Sequence, residues 1–230
     1  MGVESSQSMK ISKDFNVPEM RAKCATKWTQ EAILDAGFVQ SKVDDAPFLP
    51  IPALEKAASI LLQFFQGSKS NPKILEIFAG NCRASQILQN KLKVKTWIAS
   101  DVMEFKVQSK NITFVQSDAV TVVEKFGVES NVLLLISPPP GHHYADYFAS
   151  VDFIHQTQLK NLSDRFIVFI GELGASDGTE GMYDFYMSHP NLCLVVNKPI
   201  NNFIDVLGAR CHKDVYIFQI VISPSDVISF

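Results

Sequence analysis

The stretch KILEIFAGNCRASQ, residues 73–86, decides the fold of this chain. It joins a short apolar run to a turn around Gly80 and then to residues that are able to open a helix. Where a strand feeds a helix through a tight turn, free backbone amides and the positive end of the helix dipole meet at one point. The stretch therefore predicts a site for a polar or charged ligand at the end of the first strand.

Six further runs rich in Ile, Val, Leu and Phe follow, separated by helical or turn-forming segments. The predicted strands are 73–79, 96–100, 112–116, 132–137, 166–171, 192–198 and 215–222. The predicted helices between them are 83–91, 103–108, 119–126, 145–160 and 179–188. Runs that are almost continuously apolar indicate strands covered on both faces, which predicts a doubly wound α/β fold with a mostly parallel sheet. Turn-forming residues before the last run favour an antiparallel final strand.

The part of the chain before the first strand divides by composition. Residues 1–17 are polar and without periodicity, which predicts a flexible tail. Residues 18–52 are predicted to form a helical extension and a linker whose sequence DDAPFLPIP is too rich in proline for regular structure. The main domain is predicted to span 53–230 and to open with a helix over 53–65.

Composition excludes several classes of protein. The 230 residues are 47% hydrophobic, which is enough for one sizeable core, and the net charge of −3 lacks the basic excess of a chain that holds a nucleic acid backbone by itself. A nucleic acid would need a local basic strip, such as Lys91, Lys93 and Lys95, or a partner protein. The four widely spaced cysteines indicate neither a disulfide framework nor a metal site and favour a reducing, cytoplasmic location. No apolar run reaches the ~20 residues of a membrane span.

Acids accompany three consecutive predicted strands. Glu76 lies in the first strand, Asp101 follows the second and Asp118 follows the third. An acid about 20 residues beyond a glycine turn is placed to accept the hydroxyls of a ribose, and an acid after the third strand is able to accept from an adenine amino group. The alternative is that both aspartates are ordinary helix N-caps. Glu76 has no such alternative, because an unpaired buried carboxylate is costly.

Two loops at the same predicted edge carry further polar residues. The sequence SPPP, residues 137–140, ends the fourth strand, either to orient a substrate or only to end the strand and start the next helix. The loop GELGASDGTEG after the fifth strand contains Glu172, Asp177 and Glu180, which either line a substrate mouth or cap the next helix.

The order and spacing of these elements resemble the class I S-adenosylmethionine-dependent methyltransferases over about residues 50–223. The resemblance implies a Rossmann-like seven-stranded fold and S-adenosyl-L-methionine as cofactor. The cofactor-binding residues that it implies are Glu76, Ala79, Gly80, Asn81, Asp101, Asp118 and Ala119. It further implies that Gly80 lets the backbone approach the methionine part of the cofactor and that Glu76 lies beneath it. Asp101 then holds the ribose, and Asp118 with Ala119 borders the adenine.

The same resemblance assigns the acceptor side of the site. Ser137, Pro138 and Pro139 fall where the subgroup that methylates exocyclic amines carries its catalytic motif, and Pro140 stands in place of the aromatic residue that ends that motif. His142, His143 and Tyr144 lie just beyond and are predicted to bind the substrate in its place. The alternative for the two histidines is a solvated loop.

Two departures from the family pattern affect the glycine turn. Phe78 and Cys82 occupy positions that the family usually fills with glycine, and Cys82 is predicted to narrow the space for backbone approach. The sequence thus predicts a methyltransferase acting on an amine-type nitrogen of a nucleic acid, protein or small molecule. The alternative is a catalytically inactive methyltransferase-like binding or scaffold module. A nicotinamide-dependent oxidoreductase is disfavoured, because the turn lacks the G-x-G-x-x-G spacing.

Overall fold

The computed structural model describes residues 49–68, 71–107, 109–139, 144–173, 177–204 and 210–222. The predicted tail 1–17 and most of the predicted extension 18–52 lie outside the described residues. The strands found there are β1 (Lys73–Ile77), β2 (Thr96–Asp101), β3 (Thr113–Gln116), β4 (Val132–Ile136), β5 (Phe166–Gly171), β6 (Leu192–Ile204) and β7 (Arg210–Ile220). The helices found there are α1 (Ile51–Ser68), α2 (Arg83–Leu92), α3 (Ala119–Phe126), α4 (Ala145–Leu159) and α5 (Met182–Ser188).

The strands form one seven-stranded sheet in the order β3-β2-β1-β4-β5-β7-β6. Strands β1 to β5 pair in parallel, and β7 is antiparallel to both β5 and β6, as the turn residues before it predict. The chain moves outward from β1 through β2 to β3 and then returns to start β4 on the other side of β1. The strand order therefore reverses between β1 and β4, which is the place where open α/β sheets bind ligands.

Apolar side chains cover both faces of the sheet. On one face α1 and α2 pack over Ile74, Trp97 and Val132. On the other face α3, α4 and α5 pack over Leu75 and Leu133, which are fully buried. This core on both faces confirms the doubly wound sheet that the continuous apolar runs of the sequence predict.

The segment after β2 differs from its prediction. A helix was expected over 103–108, but residues 103–107 are irregular in the structure. The carboxylate of Asp101 accepts a hydrogen bond from the Met103 amide at 3.0 Å and closes a tight turn instead. Phe105 then packs edge-on against Phe114 of β3, with 6.2 Å between the ring centroids. Tertiary packing thus overrides the weak helical preference of a segment that is little more than one turn long.

Two element boundaries also differ. Helix α1 begins at Ile51, inside the predicted linker, because the carbonyl of Pro50 accepts the amides of Ala53 and Leu54 at 3.0 and 3.1 Å and starts the helix earlier. Strand β6 extends to Ile204 and β7 begins at Arg210, so the two form a longer hairpin than predicted. No helix among the described residues is long and apolar enough to cross a membrane.

Candidate functional site

The turn that joins β1 to α2 has an unusual backbone. Phe78, Gly80 and Cys82 have positive φ angles of 59°, 52° and 59°. Glycine adopts this left-handed conformation readily, whereas other residues pay about 1–2 kcal/mol for it. Phe78 and Cys82 thus keep the backbone shape of a glycine turn without the glycines. The turn is strained, and strain of this kind persists only where the surrounding structure fixes the backbone.

Hydrogen bonds anchor this turn from both sides. The Ala79 amide donates to the carbonyl of Ser100 in β2 at 2.9 Å, and the Ala79 carbonyl accepts from the Cys82 amide at 2.9 Å. The side chain of Asn81 accepts from the Arg83 amide at 3.1 Å, which supports the start of α2. Ala79 and Asn81, which both belong to the predicted cofactor set, therefore shape the turn through local hydrogen bonds.

Gly80 and Asp101 meet at the end of β1 and β2. The Gly80 amide donates to Oδ2 of Asp101 at 2.9 Å, and Oδ1 of Asp101 accepts from Met103. A Cβ atom added at Gly80 would meet nothing within 4 Å, so the space beside this glycine is open. Burial raises the pKa of Asp101, and the backbone hydrogen bonds of Met103 and Gly80 oppose that rise. The structure thus brings together Gly80 and Asp101, two of the residues that the sequence predicted for cofactor contact.

Glu76 lies beneath the turn and is 1% exposed. Its Oε2 accepts a hydrogen bond from the indole of Trp97 at 2.8 Å. Burial raises the pKa of Glu76 to about 7, while the nearby Ser85 hydroxyl and the Trp97 indole oppose the rise. No sequence pattern indicates this pair, because the two residues lie 21 positions apart on neighbouring strands.

Cys82 lies at the end of the turn, directly before α2. Its side chain is fully buried in the core cluster that contains Leu88 and Trp97. Burial raises the pKa of its thiol to about 12, so the thiol is neutral at physiological pH. Its Sγ lies 3.9 Å from the Gly80 carbonyl, and the narrowing of the space at the turn by Cys82 stays a prediction.

Asp118 caps helix α3. Its Oδ1 accepts from the amides of Val120 and Thr121 at 3.0 and 2.9 Å, as in an ordinary N-cap. Among the described residues, no hydrogen bond to the second oxygen, Oδ2, is found. Asp118 and Ala119 also line a small and mostly apolar pocket. The lining residues of this pocket are Phe78, Val102, Asp118, Ala119, Val120, Pro139 and Ala145.

This pocket joins the ends of four strands at the reversal of strand order. Phe78 follows β1, Val102 follows β2, Ala119 follows β3 and Pro139 follows β4. An apolar pocket bordered by a carboxylate suits a planar heterocycle that carries amino groups. Sequence reasoning missed Phe78 as a lining residue and treated it as a departure from the glycine pattern.

The acceptor side begins at Ser137, directly after β4. Its backbone is also left-handed, with a φ angle of 41°, and its amide donates to the Ile170 carbonyl of β5 at 2.8 Å. The Ser137 hydroxyl is shielded from solvent and has no hydrogen-bond partner among the described residues. The Pro138 carbonyl accepts from the Gly178 amide at 2.8 Å. Of the two groups predicted to orient a substrate, the Pro138 carbonyl is thus bonded to the loop after β5 and the Ser137 hydroxyl is shielded from solvent.

Two buried carboxylates hold that loop. Asp146 in the first turn of α4 is 0% exposed, and its Oδ2 accepts from the Thr179 amide at 2.7 Å. Asp177 forms a buried ion pair with Lys213 of β7 and accepts from the Glu172 amide at 2.6 Å. Asp177 was predicted either to line a substrate mouth or to cap a helix, and instead it anchors the loop to the sheet.

Of the remaining predicted substrate-binding residues, the structure describes only Tyr144. Pro140, His142 and His143 lie outside the described residues. Tyr144 precedes the first residue of α4 with a φ angle of 56°, and its amide donates to the Thr179 hydroxyl at 3.1 Å. Sequence reasoning missed Asp146 and Thr179. An acid in the first turn of a predicted helix was the one available signal, and it indicates no specific partner.

Comparison with solved structures finds the same fold at low sequence identity. The plantazolicin methyltransferase BpumL, in complex with a monoazolic desmethylPZN analog and SAH, is 12% identical, with 88% of this chain and 97% of that chain covered at a TM-score of 0.52. The N-methyltransferase NodS from Bradyrhizobium japonicum WM9 is 14% identical, with 78% of this chain and 99% of that chain covered at a TM-score of 0.46. No protein-family model matches the sequence, and no curated protein matches it. The predicted class I methyltransferase fold is confirmed by the first of these similarities.

Proposed function

We propose that this chain is an S-adenosylmethionine-dependent methyltransferase whose domain spans residues 53–230. The observation that carries the proposal is the contact between the Gly80 amide and the Asp101 carboxylate at 2.9 Å, beside open space at the reversal of strand order. This arrangement presents a carboxylate and an unobstructed backbone to the same point. BpumL, which has the same fold, is described in complex with SAH, and this supports the choice of cofactor.

The residues at the site fit the parts of that cofactor. Asp101 is our candidate for the ribose hydroxyls, and Oδ2 of Asp118 is our candidate for the adenine amino group, with Ala119 against the ring. The buried carboxyl of Glu76, together with the turn formed by Ala79, Gly80 and Asn81, is the candidate for the methionine part. When bound, S-adenosylmethionine supplies a methyl group that is already activated by its positively charged sulfur.

The protein then needs to hold an acceptor in line with that methyl group. We assign this role to Ser137, Pro138 and Pro139, with Tyr144, His142 and His143 as substrate-binding residues around them. We propose an amine-type nitrogen as the acceptor atom, because the Ser137 hydroxyl and the Pro138 carbonyl are both able to accept hydrogen bonds from an amine.

The molecule that carries this nitrogen is a nucleic acid, a protein or a small molecule. The basic strip considered for a nucleic acid lies elsewhere, since Lys91 is in the last turn of α2 while Lys93 and Lys95 precede β2, at the opposite edge of the sheet from Asp101. For a nucleic acid acceptor, we propose that positive charge comes from a partner protein or from Arg21, Lys23 and Lys27, which lie outside the described residues.

Binding is tested with the purified chain by calorimetry against S-adenosylmethionine, its demethylated product SAH, NAD and ATP. We expect binding of the first two with a Kd of micromolar order, as is common for cofactor sites, and none of the last two. Transfer is tested by incubation with methyl-labelled cofactor and cell extract. Binding of NAD in place of SAH would overturn the proposal in favour of a nicotinamide-dependent oxidoreductase.

A second candidate function is a catalytically inactive methyltransferase-like binding or scaffold module. The observation that favours it is the covered acceptor side, where the Pro138 carbonyl already accepts from Gly178 and the Ser137 hydroxyl is shielded from solvent. A module of this kind would bind SAH in calorimetry and transfer no label to any component of the extract.

A further inference from the structure

Three consecutive residues of the loop after β5, the segment 177–179, contact three different elements. Asp177 pairs with Lys213 of β7, the Gly178 amide donates to the Pro138 carbonyl at 2.8 Å, and the Thr179 amide donates to Asp146 of α4 at 2.7 Å. The Thr179 hydroxyl also donates to Asp146. The segment therefore connects the sheet, the proline motif and α4 across the acceptor side of the site.

Gly178 fits this position because it has no side chain. Its φ angle is 82°, and an added Cβ would lie 3.0 Å from Oδ2 of Asp146 and 3.7 Å from Cγ of Pro138. Gly181 offers a contrast, since its φ angle is 86° but an added Cβ would meet nothing within 4 Å. The left-handed backbone is common to both glycines, whereas the close approach to the Asp146 carboxylate belongs to Gly178.

The contact has a chemical meaning for the acceptor. An N–H group from Gly178 lies on the Pro138 carbonyl, which is what the N–H of an amine acceptor would do. Meanwhile the Ser137 hydroxyl is left without a partner among the described residues, and an unpaired buried hydroxyl costs free energy. The closed arrangement thus carries a cost that contact with an acceptor or with water would remove.

We infer that segment 177–179 is an internal occupant of the acceptor position, and that an amine acceptor reaches Ser137 and Pro138 by displacing the Gly178 amide. Its role in acceptor entry rests on the proposed methyltransferase function. The polar contacts of the segment are hydrogen bonds and one ion pair, and contacts with water or with an acceptor are able to replace them. The segment is therefore expected to open locally while the rest of the domain stays folded.

The test is residue-resolved amide hydrogen exchange on the full chain over a series of low urea concentrations. In the wild type, we expect the amides of Gly178 and Thr179 to exchange with a weaker urea dependence than the amides of β5, which indicates local opening. The matched variants are Gly178→Ala and Gly181→Ala. We expect the Thr179 amide to exchange at least tenfold faster in Gly178→Ala than in Gly181→Ala, with equal exchange of the β5 amides after correction for global stability.

Two results would overturn the inference. The first is exchange of Gly178 and Thr179 in the wild type only together with the β5 amides, which would make the segment a fixed part of the fold. The second is an equal rate at Thr179 in the two alanine variants. Thr179→Val, which removes the hydroxyl and keeps the backbone, gives a second comparison if Gly178→Ala fails to fold, and it should also speed exchange at Gly178. Calorimetry with SAH reports separately on the proposed function, because exchange is measured without any ligand.

Discussion

Both sides of the proposed site contain a residue with a left-handed backbone, but one side is open and the other is covered. At the end of β1, the strained turn around Gly80 leaves open space beside a carboxylate that already accepts the Gly80 amide. At the end of β4, Ser137 has an equally left-handed backbone, but its hydroxyl is covered and the next carbonyl is bonded to Gly178. The proposed cofactor side is open beside Gly80, whereas the Pro138 carbonyl on the proposed acceptor side is already occupied by the Gly178 amide.

The difference follows from what each side contacts. The turn on the cofactor side is fixed by its own strand neighbours, since Ala79 bonds to Ser100 of β2 and Gly80 bonds to Asp101 at the end of the same strand. The acceptor side is fixed by the loop after β5, the strand that pairs with β4, through hydrogen bonds to Asp146 of α4 and Asp177. The turn at the end of β1 leaves the space beside Gly80 open, whereas access to a carbonyl covered by a loop depends on the free energy that holds the loop.

The largest expected effect tests the cofactor side. Replacing Asp101→Ala removes the acceptor of the Gly80 amide and both carboxylate oxygens proposed for the ribose. We expect the affinity for SAH to fall at least 1000-fold, or about 4 kcal/mol, as for the loss of charge-assisted hydrogen bonds in a buried site. Calorimetry measures this loss, and Asp184→Asn on the exposed surface of α5 serves as the control. Unchanged affinity in the Asp101 variant would refute the assignment.

The next effect concerns Glu76 and has a defined pH dependence. Burial raises the pKa of Glu76 from 4.5 to about 7, so the folded protein holds this proton more tightly than the unfolded chain. The stability contributed by this bound proton is fully present below pH 4.5 and is lost as the pH rises through 7. Glu76→Gln, which keeps an acceptor for Trp97 and removes the charge, should therefore be more stable than the wild type by about 3 kcal/mol at pH 8.

Urea unfolding at pH 4.5 and at pH 8 measures this difference. The advantage of Glu76→Gln should be present at pH 8 and nearly absent at pH 4.5. Glu129→Gln, at an exposed position, should show no advantage at either pH. An advantage of equal size at both pH values would mean that packing, and not the carboxyl proton, explains the effect.

A smaller effect tests the acceptor side. Asp146→Asn replaces one of the two carboxylate oxygens that accept from the Thr179 amide and hydroxyl with an NH2 group. A buried donor that faces this NH2 group then loses its hydrogen-bond acceptor. We expect a loss of about 2 kcal/mol in the free energy of unfolding, with the affinity for SAH within twofold of the wild type. Urea unfolding and calorimetry measure the two quantities. A parallel loss of cofactor affinity would mean that the two sides of the site are coupled and not separate.

The sequence predicted the strand ends around Gly80 and Asp101 better than the loop contacts around Ser137 and Pro138, for a physical reason. Strand ends follow directly from apolar runs, and helix α3 begins and ends as predicted because Asp118 caps it locally. The bond between Gly178 and Pro138 joins residues 40 positions apart and uses only backbone atoms, so no pattern of side chains signals it. The pairing of Glu76 with Trp97 escaped prediction in the same way, although the cost of burying the carboxylate indicated that some partner was needed.

The smallest expected effect decides between two roles for Asp118. Its Oδ1 caps α3, and its Oδ2 is our candidate for the adenine amino group. Asp118→Ser keeps a capping oxygen and removes the second one, whereas Asp118→Ala removes both. We expect about 1 kcal/mol of stability loss for alanine and only a few tenths for serine. A contact with adenine predicts that both variants bind SAH about tenfold more weakly, since each loses one hydrogen bond to the base. If Asp118→Ser bound SAH with wild-type affinity, Asp118 would serve only as the N-cap of α3. The apolar pocket around Phe78 and Ala119 would then be the part of the site that binds adenine.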